Sequence, residues 1–245
     1  TDYLRITSLA IVKEQTGGDA RINNHPDIVN PPLYPVLLAG VFKAASLAGV
    51  PIQYTPREGD VRYLPELVVC IFNQALLLVA LFLTFSLGRK LFDREVAIFA
   101  AVMLFLNELL WRFSISGLPT ILSMVVLLLL FHLLVSFRMR NMTDNVHDLE
   151  SVPGVGWTLG MGALIGLLVG LASLSQYALG WLVIPVLWYV MLSARNGRKL
   201  LAGAVVLLMF AAVLAPWVAR NVMLSGLPFG LATYAPAVGT AKLSG

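Results

Sequence analysis

From Glu66 onward the chain is built of long apolar runs, roughly 67–87, 96–111, 118–136, 157–175, 178–193 and 200–218, separated by short polar connections. A helix crossing a hydrocarbon core of about 30 Å takes about 20 such residues. The run 96–111 is short, and Arg94 and Arg112 extend it by snorkelling toward the two interfaces. The pattern predicts an all-α polytopic membrane protein with about six transmembrane helices.

The first 65 residues follow a different pattern. Residues 1–14 space Tyr3, Leu4, Ile6, Leu9 and Val12 as a short amphipathic helix, which Gly17 and Gly18 end. A polar loop over 19–32 carries His25, Asp27 and Asn30 and runs into an apolar stretch from Leu33 to Ala48. Pro31 and Pro32 suit a helix start, where the first turn has spare N–H groups. That stretch is too short to span and is interrupted by Lys43, so it predicts a helix lying along the membrane surface. The organisation expected is an external loop with juxtamembrane helices over 1–65, a bundle over 66–221 and an external segment over 222–245.

Charge fixes the orientation. The connections 88–95, 136–141 and 193–199 are rich in Arg and Lys, while 112–117 and 175–180 are short and nearly uncharged. The positive-inside rule places the basic connections in the cytoplasm, and alternation puts 1–65 and the tail after Val218 on the external face. The Asn141-Met142-Thr143 sequon then falls on the cytoplasmic side and is discounted.

Composition agrees with the pattern. The chain is 58% hydrophobic and 12% charged, far from the make-up of a soluble domain. Its formal charge of +4 therefore reflects orientation, and nucleic acid is not an expected partner. The single cysteine, Cys70, lies in an apolar run and reads as a small packing residue. Gly162, Gly166 and Gly170 recur every four residues and predict a close helix contact. The chain opens at Thr1 within a polar segment, which suggests a fragment lacking at least one N-terminal span and part of the C-terminus.

Five stretches, in order, resemble the C-type (GT-C) glycosyltransferases that use polyprenyl-phosphate sugars, above all the branch of the protein O-mannosyltransferases and the lipid A aminoarabinose transferase. They are Asp2-Tyr3-Leu4-Arg5-Ile6, Asn30-Pro31-Pro32-Leu33-Tyr34-Pro35, Leu87-Gly88-Arg89-Lys90-Leu91-Phe92, Gly170-Leu171-Ala172-Ser173-Leu174-Ser175-Gln176-Tyr177 and Pro216-Trp217-Val218-Ala219-Arg220-Asn221. The resemblance implies sugar transfer on the extracytoplasmic face, a polyprenyl-phosphate-linked sugar and membrane lipid as partners, and a bacterial inner membrane location.

Such a transfer needs a base for the acceptor's proton and donors that stabilise the leaving phosphate. The resemblance implies Asp2 as catalytic base, with Asp27 second; helix capping and turn formation are their ordinary structural roles. Arg112 and Arg220 end spans within or beside family-like stretches and suit phosphate contact, with Asn30, Gln176 and His25 as further donors. Arg57 and Arg62 read as interface anchors. Glu108 and Arg112, four residues apart, also form a plain helical ion pair. His25 is the loop's one candidate ligand for a divalent ion; His132 lies in a span and His147 in a cytoplasmic loop, so no metal constellation is formed.

The chain departs from the family where relatives carry an acidic pair upstream, a lysine before the double proline, and Lys or Arg in place of Gln176. The alternative is thus a catalytically silent GT-C-like subunit that docks with other membrane subunits. A secondary transporter stands third, since no inverted repeat is evident.

Overall fold

The computed structural model describes residues 30–50, 64–142, 154–195, 197–225 and 228. The expectations for residues 1–29, 51–63 and 143–153 lie outside the described residues. Every regular element among those described is helical: α1 (Leu33–Leu47), α2 (Leu64–Leu91), α3 (Arg94–Phe105), α4 (Glu108–Ile115), α5 (Thr120–Met142), α6 (Val155–Ser175), a 3-10 segment (Tyr177–Leu182) leading into α7 (Val183–Ser193), and α8 (Lys199–Ser225). The chain divides into two compact units, Pro31–Ala219 and Thr1–Asn30 with Arg220–Gly245. The chain is an all-α protein whose helices α2, α5, α6 and α8 are long and apolar enough to cross a membrane, with α3 and α4 together as a bent fifth.

The polar residues between apolar runs act as helix signals. Pro32 caps α1, its carbonyl accepting from the Val36 N–H at 3.0 Å. The Asp93 carboxylate accepts from the Val96 N–H at 2.8 Å, opening α3 directly after α2 closes. Gly88 makes that hairpin tight: a Cβ there would sit 2.8 Å from the Ala97 Cα.

The run 96–111 is not one straight helix. It breaks after Phe105, and α4 departs from α3 by 56°. Asn107 is the cause, because its side chain accepts from the Leu109 and Leu110 N–H groups and starts a new helix. Trp111 covers the break by donating its indole N–H to the Phe105 carbonyl at 2.7 Å. Asn107 is thus used locally as a cap.

Contacts within Pro31–Ala219 fix the direction of each segment. Gly88 meets Ala97 at one end of α2, and Cys70 meets Ile115 toward the other, so α3 and α4 return along α2. Leu83 and Lys90 of α2 meet His132 and Ser136 of α5, which therefore runs with α2. Ser123 meets Ser175 and Phe137 stacks on Trp157, so α6 runs against α5. Gly180 approaches Ser173, Trp217 bonds Tyr177, and Met191 packs on Gly203, so the 3-10 segment and α7 lie against the direction of α8. One end of this bundle gathers Arg89, Lys90, Arg94, Arg138, Arg140, Arg195, Arg198 and Lys199.

The main core joins Leu130, Leu134 and Phe137 of α5, Ile165 and Val169 of α6, Val186 and Val190 of α7, and Ala202 and Val206 of α8. The glycine stripe of α6 is where α8 seats: Gly162 faces Val205, Gly166 faces Val206 and Met209, and Gly170 faces Val213. In lipid, helix association draws on such close packing, because the surrounding tails are as apolar as the side chains.

Candidate functional site

One group of polar contacts lies at the end of the bundle opposite the basic residues. At that end Tyr34 enters from α1 and is buried between Leu122 and Val126 of α5 and Ala172 of α6. Its hydroxyl lies 3.1 Å from the Asn73 Oδ1 and 2.9 Å from the Asn73 Nδ2. Burial raises the Tyr34 hydroxyl above the ordinary tyrosine pKa; the Asn73 bond works the other way, and the nearby Cys70 thiol adds to the rise. The phenol is therefore neutral at physiological pH and available to donate.

The turn between α6 and α7 is the second part. Gln176 sits there in extended backbone and is half-buried; its N–H donates to the Ala172 carbonyl at 3.0 Å and its carbonyl accepts from the Leu179 N–H at 2.9 Å. The Ser175 and Ser123 hydroxyls lie 3.0 Å apart, both buried. Next to Gln176, the Tyr177 hydroxyl accepts from the Trp217 indole N–H at 2.9 Å.

Arg112 and Glu108 form the helical pair that their spacing predicts. The Arg112 Nε and Nη2 donate to the same Glu108 oxygen at 3.1 and 2.7 Å, and both side chains are about three-quarters exposed, at 74% and 77%. Both side chains lie outside the protein core, so the pair is a contact local to α4.

In the other unit, Asn30 and Arg220 are described. The Arg220 Nη1 donates to the Asn221 Oδ1 at 3.4 Å, and the buried Asn221 amide donates to the Pro228 carbonyl at 3.4 Å. Asp2, His25 and Asp27 lie outside the described residues. Among the described residues no group of three His, Cys, Asp or Glu side chains could hold a metal ion.

Asn73 escaped the sequence reading, although an Asn within the apolar run 67–87 is itself a sign of a polar partner. Ser123 and Trp217 gave no pairing signal, since hydroxyls and indoles are ordinary in apolar helices. No protein family, curated protein or solved structure matches the chain.

Proposed function

We propose that this chain is the membrane part of a glycosyltransferase of GT-C type, moving a sugar from a polyprenyl-phosphate donor to an acceptor on the extracytoplasmic face. One observation carries the reading. Three of the family-like stretches, far apart in sequence, meet at the weakly charged end of the bundle. Tyr34 of the Pro-Pro-Leu-Tyr stretch packs on Ala172 and Leu171, and Tyr177 of that second stretch bonds Trp217 of the third. Random packing of apolar helices has no reason to bring these together.

The reading includes six membrane crossings, the 3-10 segment and α7 making the fifth. Their 6 and 11 residues reach about 28 Å, since a 3-10 turn rises about 2.0 Å per residue against about 1.5 Å for an α-helix. It also includes the basic end facing the cytoplasm and α1 lying along the external surface. In a Cys70→Ala background, a cysteine at the exposed Arg195 is expected to label only from the cytoplasm, and one at Leu118 only from outside. The reverse result overturns the orientation.

The transferase reading is tested by incubating the purified full-length protein with a radiolabelled polyprenyl-phosphate sugar. Retention of the lipid with turnover of the sugar is expected; no retention defeats the reading. Retention without turnover selects the second reading, a silent subunit of a larger complex. Asn30 and Gln176, which stand where relatives carry cations, favour that second reading.

A further inference from the structure

The basic end of the bundle has no role in the proposed transfer. The C-terminal turns of α5 tie it together, reaching α2, α6 and α7 through separate contacts. The Ser136 hydroxyl donates to the His132 carbonyl at 2.6 Å, so its oxygen is left as an acceptor, and the Lys90 ammonium of α2 donates to it. The Arg140 guanidinium lies over the Trp157 ring of α6 at 5.2 Å, and Arg138 over the Tyr189 ring of α7 at 5.9 Å. On α2, Arg89 lies over the Phe85 ring at 5.8 Å. A ring takes the flat face of a guanidinium and steadies it, but does not accept at the N–H edge or carry a countercharge. Arg89 and Arg140 are exposed. The acids described at this end are Asp93 and Glu95, and the Asp93 carboxylate is spent on capping α3. Apolar side chains stand at the same level: Leu91, Phe92 and Met139 are 47%, 68% and 45% exposed.

We infer that this end binds the phosphate of an anionic phospholipid at the seam of α2 and α5, with Lys90 as the fixed contact and Arg89 and Arg140 beside it. An ammonium has N–H donors beyond the one that Ser136 receives, and they serve a phosphate oxygen. Arg140 follows Ser136 by one helical turn and Arg89 adjoins Lys90, so these cations flank one seam. A phospholipid also meets Leu91, Phe92 and Met139, through its glycerol and the first methylenes of its chains; a free phosphate leaves those side chains in water. The inference stands apart from the transferase reading, since it concerns the opposite end of the bundle and no reacting group.

The test titrates the full-length protein, in a neutral detergent, with phosphatidylglycerol and counts bound lipid by native mass spectrometry. Phosphatidylcholine with the same chains and glycerol phosphate are the comparison probes. The parent is expected to prefer phosphatidylglycerol over phosphatidylcholine by about tenfold or more. Lys90→Gln and Arg140→Gln are each expected to lower that affinity about fivefold, the worth of one cation beside an anionic lipid surface. Arg195→Gln, the same loss of charge on another helix at this end, is expected to leave it unchanged. Ser136→Ala keeps every charge but removes the anchor of Lys90, and a loss of severalfold is expected because the ammonium is no longer held in place. If Arg195→Gln costs as much as Lys90→Gln, or Ser136→Ala costs nothing, the end is a diffuse basic surface and the inference falls. Equal uptake of phosphatidylcholine, or displacement of the lipid by glycerol phosphate, overturns an anionic phospholipid as the ligand.

Discussion

Gly166→Leu is expected to abolish the folded bundle, or to lower its thermal midpoint further than any other single substitution considered. A Cβ at this position would run into the Val206 carbonyl oxygen and lie 2.9 Å from the Met209 Cβ and 3.1 Å from the Val206 carbonyl carbon. Two of these atoms are backbone, so no rotamer change relieves the clash; α8 itself has to move away. Its withdrawal also opens the contacts of Gly162 with Val205 and of Gly170 with Val213, and loosens Ala202 and Val206 from the core. Overpacking a well-filled core ordinarily costs about 1–3 kcal/mol, and a forced helix separation stands at or above the top of that range. Gly160 is the control, since an added side chain there meets nothing within 4 Å. The measurement is the midpoint from heating followed by size-exclusion chromatography. Equal profiles for Gly166→Leu and Gly160→Leu would show that α6 and α8 are not seated on the glycine stripe.

The second large effect concerns the proposed sugar transfer. Asp2→Asn is expected to abolish transfer with donor binding preserved, because an amide cannot take the acceptor's proton; loss of a general base costs about a hundredfold to ten-thousandfold. Arg220→Ala is expected to weaken binding of the polyprenyl-phosphate sugar tenfold to a hundredfold, the equivalent of about 1.5–3 kcal/mol for a hydrogen bond to a charged group. Its fold is expected to survive, since the Asn221 amide keeps its bond to Pro228. Arg112→Ala is expected to do less, because that guanidinium is already paired with Glu108. Binding by titration and transfer by radiolabel separate these effects. An Asp2→Asn protein that still turns over excludes Asp2 as the base.

The amino-acid sequence by itself determined that the chain is a helical membrane protein, where most of its long helices run, and which end of the bundle is basic. These are properties of neighbouring residues: a run of apolar side chains cannot stay in water, and an uncharged backbone in lipid has to bond within its own helix. The glycine stripe was legible for the same reason, since a four-residue repeat of small side chains exposes one face of one helix. The Glu108–Arg112 pair was legible as well, being a contact within a single turn.

Tertiary structure decided what depends on partners distant in the chain. Hydropathy does not register a cap, so the 56° break at Asn107 stayed hidden within an apolar run. The same blindness joined the 3-10 segment to α7 as one uniform helix, because both are equally apolar and differ only in backbone geometry. Nothing local links Tyr34 to Asn73, 39 residues away, or Tyr177 to Trp217, 40 residues away. A side-chain hydroxyl or amide in an apolar helix states only that a partner is needed; the packing of the bundle chooses which one, because a buried polar group is stable only where a second one is brought to it.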